Sequence, residues 1–195
     1  YFSTRGHKDS LSFQDVILSG VALDKGLYLP DSITLENLTY LTQEDLSYED
    51  FVKTIFIALD KASAPYVEDL SLYPGFEGSP EPKLIELNET TLVMELFHGP
   101  TKSFKDYALQ PLAAIADKRL TELGERGLAI VATSGDTGSA AIEAVKDSKN
   151  IDIVVLHPAN KVSEYQRKQM TSVIKDNVLN IAIDGSYDDC QRVAK

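Results

Sequence analysis

From Thr91 onward, short apolar runs alternate with stretches of helical period, and this alternation constrains the fold more than any other feature of the sequence. The runs are Leu92–Leu96, Leu128–Thr133, Ile151–His157 and Leu179–Asp184; the stretches between them predict helices over about 104–123, 138–146 and 163–175. Each run is short, continuous and rich in Val, Ile and Leu, the pattern of a strand buried on both faces. A helix between successive strands makes each connection a crossover, so the strands pair in parallel. The series predicts an α/β lobe with a parallel sheet, whose ligands bind beyond the C-terminal ends of the strands.

Residues 1–90 have a different texture. Polar stretches and helix patterns dominate, with Phe51, Val52, Ile55, Phe56 and Leu59 at helical spacing between Tyr48 and Ala62. Pro65, Pro74, Gly75, Gly78, Pro80 and Pro82 then mark a loop-rich connection. The expected division is a mostly helical N-terminal segment over 1–90 and a first α/β lobe over 91–195. That lobe reads as incomplete, because the chain opens on Tyr1 and stops at Lys195 within what looks like the first turns of a helix.

With 195 residues and 43% hydrophobic content, the chain can bury one ordinary core, or a domain with an appended lobe. Its apolar runs fall far short of the about 20 residues a membrane helix needs, and no signal-peptide pattern opens it. A single cysteine, Cys190, allows no internal disulfide, and with three scattered histidines it offers no metal-site spacing. A reducing, cytoplasmic setting without a bound metal or membrane is therefore expected. The formal net charge of −11 opposes nucleic-acid binding, which depends on Lys and Arg neutralising phosphates. An anionic ligand would have to be attracted locally against this field.

Two stretches could carry chemistry. Thr133-Ser134-Gly135-Asp136-Thr137-Gly138 lies where a predicted strand turns into a helix, so its glycines and helix-end N–H groups could receive a carboxylate or phosphate. It reads equally as an ordinary turn with Ser134 or Asp136 as the helix N-cap. It has neither the lysine of a P-loop nor the glycine spacing of a dinucleotide site. The second stretch runs from Phe97 through the His98-Gly99-Pro100 turn to Lys105 at a helix start. A lysine there has the wrong sign for the helix dipole, which disfavours the ammonium form and frees the amine for imine chemistry. The alternative is a solvated surface lysine, a reading that suits Lys102 well.

Glu95-Leu-Phe-His-Gly-Pro-Thr-Lys-Ser-Phe-Lys105-Asp resembles the lysine motif of threonine synthases, and Ala132-Thr-Ser-Gly-Asp-Thr-Gly-Ser-Ala-Ala141 resembles their glycine loop. Three further stretches agree in order: Tyr1–Gly6 with Gly26–Pro30, Val162–Met170, and Asp184–Gln191. Lys102 and Ser103 depart from the pattern, since many relatives carry an apolar or aromatic residue and then Ala there. Family members are longer, and their second half supplies a phosphate-binding loop and a partner for the cofactor's pyridine nitrogen, neither recognisable here.

The resemblance implies a fold-type-II enzyme that uses pyridoxal 5'-phosphate (PLP) as electron sink to convert O-phospho-L-homoserine and water into L-threonine and phosphate. By position, Lys105 would bind PLP covalently, then move protons at the substrate α and β carbons. Thr133, Ser134, Gly135, Asp136 and Thr137 would face the substrate carboxylate, with Asp136 also beside the cofactor 3-oxygen, either protonated or turned away. Arg5, Lys8, His98 and Lys102 would supply positive field for the phosphate ester. A dehydratase, a phospho-lyase acting on a related ester, and a non-catalytic anion-binding lobe are the alternatives. If the polypeptide ended at Lys195, it would lack the phosphate loop, hold PLP poorly, fail to turn over substrate and expose apolar surface.

Overall fold

The computed structural model describes residues 1–8, 10–32 and 46–194. Packing divides the chain into two units, Tyr1–Leu72 and Tyr73–Lys195. In the first unit, β1 (Phe2–Ser3) pairs antiparallel with β2 (Tyr28–Leu29), bringing together the two halves of the opening motif. Asp24 ties this pair to the intervening loop: its carboxylate accepts from Ser3 Oγ at 2.6 Å, Gly26 N at 2.9 Å and His7 N at 3.0 Å. The Ser3 hydroxyl, with the two amides, holds the Asp24 carboxyl below its ordinary value.

Among its described residues this unit also holds the helices α1 (Phe13–Val16), α2 (Tyr48–Leu59) and α3 (Ala64–Val67). Ser12 and Ser47 cap the first two, each accepting from an amide three residues on. The expected helix from Tyr48 ends at Leu59, where Asp60 turns extended and caps a short 3₁₀ turn over Lys61–Ser63. Phe13, Val67 and Leu72 are buried, with Phe13 packed against Tyr1 and Tyr66.

The second unit holds three of the four expected parallel strands in one sheet. β5 (Gly127–Ala132), β6 (Ile151–Pro158) and β7 (Val178–Ile183) pair in parallel, with β6 in the centre. The remaining run behaves differently. β4 (Thr91–Glu95) pairs antiparallel with β3 (Lys83–Asn88) in a separate hairpin, because Asn88, Glu89 and Thr90 make a tight turn that lets an unforeseen partner strand fold back.

Helices α4 (Asp106–Leu123), α5 (Asp136–Val145), α6 (Glu164–Thr171) and α7 (Tyr187–Ala194) fill the connections and the C-terminal end. Residues from α4, α5 and α6 form one core with Ile151, Ile153 and Val155 of β6. The register places Leu128, Ile130, Leu179 and Ile181 on the opposite face, where all four are exposed, although α7 also packs on β5 and β6. The strands are thus apolar on both faces, and the described residues bury one face at the central strand β6 and partly at its edges.

Two local details set the course of α4. Pro111 lies inside the helix and cannot donate to the carbonyl of Tyr107; the Tyr73 hydroxyl donates to that oxygen instead, at 3.2 Å. At the far end Gly124, with φ of 65°, takes the left-handed conformation that lets Glu125 N reach Leu120 O at 3.1 Å.

Ile142 is fully buried between α5 and the sheet. Ile142→Ala should lower the stability of this unit by about 2–5 kcal/mol, read as a shift of its urea midpoint. A loss below about 1 kcal/mol would mean that the core relaxes into the gap.

Candidate active site

Two turns beyond the strands carry the candidate residues. The lysine turn begins at Gly99, whose carbonyl accepts from Lys102 N at 3.1 Å, with Lys102 at φ 63°. Beneath it lies Asp106, fully buried, whose carboxylate accepts from Thr101 N at 2.9 Å and Thr101 Oγ1 at 2.7 Å. A Cβ on Gly99 would run into this carboxylate, so glycine is required there by close approach. The Asp106 latch folds the turn back on α4 and leaves Lys105 as the N-cap residue, without a side-chain cap bond. Its ammonium sits 4.5 Å from the centre of the Phe104 ring and 3.5 Å from Asp136 Oδ2.

Asp136 opens α5, and the loop before it is built by Thr133. Thr133 is 1% exposed, and its Oγ1 accepts from both Gly135 N and Gly138 N at 2.9 Å. Neither Ser134 nor Asp136 caps α5. The N-cap position is Gly135 at φ 140°, and Thr133 does the capping from two residues earlier. Thr133, expected to face substrate, is therefore turned into the loop and shapes it. The same bonds use two of the loop amides expected to be open to an anion. The amides of Asp136 and Thr137, in the first turn of α5, have no acceptor among the described residues, and Ser134 is exposed beside them.

Gly138 fixes the depth of this loop: a Cβ there would meet Met170 Sδ and Thr133 Cγ2 at 2.6 Å. Asp136 itself is half exposed and faces two donors, Lys105 Nζ through Oδ2 and Gln166 Nε2 through Oδ1. Gln166 and Gln169 on α6 are site neighbours that the motif reading passed over. The Ser163-x-x-Gln166 spacing is a capping-box signature and would have put Gln166 at the helix N-terminus.

The expected cationic residues fall in both units. His98 Nε2 lies 2.7 Å from Glu95 Oε2, so its partner is a carboxylate of its own strand end. Lys102 is exposed on the lysine turn. Arg5 and Lys8 belong to the first unit, where both are exposed and Arg5 Nη1 donates to Asp24 O at 3.4 Å.

Residues 1–65 match the family described as threonine synthase N terminus. A threonine synthase from Pseudomonas aeruginosa is 45% identical over 202 residues, spanning all of this chain and 43% of its own length. The PLP-bound threonine synthase from Brucella melitensis superposes with a TM-score of 0.83 at 38% identity, over 98% of this chain and 42% of that one. In sequence and fold, the chain matches the N-terminal portion of threonine synthases. The Escherichia coli threonine synthase structure gives a TM-score of 0.80 at 26% identity, covering 44% of that enzyme. Threonine synthase-like 2 from Mus musculus is also similar, 36% identical over 201 residues and covered to 42%. The chain thus spans less than half the length of these threonine synthase relatives.

The latch under the lysine turn responds to pH. Burial, the largest influence, pushes the Asp106 carboxyl above its ordinary value, against the Thr101 hydrogen bonds that favour the ionised form. Such a group binds protons more readily folded than unfolded. Its contribution to stability is complete below the unfolded value of about 4 and is lost as pH rises through the folded one. Asp106→Asn keeps both contacts with Thr101 and should remove this decline. Urea midpoints measured across that pH interval test it, and parallel curves for the two proteins would contradict it.

Proposed function

We propose that this chain supplies the lysine side of a threonine synthase active site, acting in the cytoplasm as part of a PLP-dependent carbon–oxygen lyase. The observation that carries the reading is the approach of Lys105 Nζ to within 3.5 Å of Asp136 in the loop that opens α5. The residues present fit the cofactor at this end. The Lys105 side chain is 25% exposed and reaches Asp136 of the loop, and the amides of Asp136 and Thr137 have no acceptor among the described residues. In this reading the cofactor phosphate is held outside the Ser134–Gly138 loop, which serves the substrate carboxylate.

When bound, PLP withdraws electrons from the substrate α carbon so that protons there and at the β carbon become mobile. Lys105 Nζ would hold the cofactor and, with substrate in the site, would be the base and acid that moves those protons. The N-terminus of α5, with the amides of Asp136 and Thr137 and the exposed Ser134 hydroxyl, receives the substrate carboxylate and is helped by the helix dipole. Gly135, the sequence candidate for this contact, gives the loop its left-handed turn at φ 140° and makes room for the Gln166 amide. Thr133 holds the loop in that shape from behind. O-phospho-L-homoserine is the substrate of this reading, with Lys102, His98, Arg5 and Lys8 as candidate sources of positive charge for its phosphate ester.

A second reading, a phospho-lyase acting on a related ester, draws on the similarity to threonine synthase-like 2 at 36% identity. Phosphate released from O-phospho-L-homoserine by the protein with PLP separates the readings. Steady release that falls by about 10²–10⁴-fold or more in Lys105→Ala supports the threonine synthase assignment. Release from another phosphate ester alone, or ammonia from threonine, would overturn it.

A further inference from the structure

The motif segment Val162–Met170 has no role in the chemistry described above, yet its helix touches both turns of the site. Gln166 Nε2 donates to Asp136 Oδ1. One turn further along, Gln169 Nε2 donates to Thr101 O at 3.0 Å, in the lysine turn. The Gln166 amide is itself oriented: Ser163 Oγ donates to Gln166 Oε1 at 2.8 Å, which leaves Nε2 as the group facing Asp136. Ser163 is fixed in turn as the N-cap of α6, accepting from Gln166 N at 3.3 Å. Gly135 completes the fit, since a Cβ on it would occupy the space filled by the Gln166 amide.

We propose that Gln166 is a positioning residue that holds the Asp136 carboxylate against the Lys105 amine, with α6 acting as the clamp between the two turns. Two oxygens of one carboxylate are shared: Oδ1 takes the amide donor and Oδ2 faces the ammonium. Asp136 is 51% exposed, so without the amide it is free to swing toward water and leave the lysine. Gln169 keeps the clamp in register by fixing the turn that carries Lys105.

Among the described residues, Asp136 of α5 is the charged group that contacts the amine. Asp106 of α4 is committed to Thr101, and Glu143 of α5 acts on Asp106. On α6, Gln166 and Gln169 are neutral and Glu164 pairs with Lys168 at 2.8 Å. Lys102, on the same turn, is exposed. Asp136 is therefore the charge through which Gln166 can act on Lys105. The consequence for catalysis rests on Lys105 being the cofactor-attaching amine, but the geometric claim does not.

The test is the rate at which Lys105 is acylated by acetic anhydride at one mildly alkaline pH, without cofactor, quantified by peptide mass spectrometry against the other lysines. Gln166→Leu should speed acylation of Lys105 by about two- to five-fold, the range a partly exposed ion pair supports, and leave Lys118 unchanged. Gln166→Ala, which removes the amide donor and adds no charge, should act in the same direction if the leucine variant fails to fold. Asp136→Asn should have at least as large an effect, and Gln166→Leu added to it should change nothing further. An unchanged rate in both Gln166 variants overturns the clamp, as does an effect of Gln166→Leu that persists in the Asp136→Asn background. Because no PLP is present, these outcomes are independent of where the cofactor attaches.

Discussion

The candidate site depends on one ion pair between residues thirty-one positions apart, Lys105 and Asp136. Neither residue is placed by itself. Lys105 stands at the head of α4 because a buried carboxylate, Asp106, folds the preceding turn beneath it. Asp136 stands at the head of α5 because the Thr133 hydroxyl gathers two amides of the glycine loop. Each turn is thus held by a buried polar side chain with its hydrogen bonds satisfied, and Lys105 and Asp136 are left partly open to solvent.

This division between buried organiser and exposed reactant explains what was legible in the sequence. The parallel strands β5, β6 and β7 fall within a residue of the runs that announced them, because continuous Val and Ile leave few other solutions. Lys105 stood out through a mismatch of charge with its helix end, and the glycine loop through its place between strand and helix. Thr133 was visible as a member of that loop, but the inward turn of its hydroxyl depends on where Gly138 packs against Met170, a contact between elements distant in sequence. Asp106 escaped for the same reason: a carboxylate beside a lysine in sequence reads as its partner, whereas the helix start turns it toward Thr101.

The hairpin of β3 and β4 marks the limit of periodicity as a guide. Thr91–Glu95 has the composition of a strand, and nothing in its own residues says which neighbour it will choose. Pairing direction was inferred from the helices that follow, while the decisive feature, the turn at Asn88–Thr90, precedes it. Exposed Leu84, Leu92 and Met94 on this hairpin, and Leu128 and Leu179 on the sheet, show that the strand runs carry more apolar surface than the described residues cover.

The central claim is that Lys105 is the amine to which PLP attaches. Incubating the protein with PLP, reducing with borohydride and mapping the pyridoxyl group by peptide mass spectrometry tests it directly. The account predicts the modification on the peptide containing Lys105, at that residue and lost in Lys105→Ala. A pyridoxyl group at Lys102 or at any lysine of the first unit, with Lys105 unmodified, would contradict it.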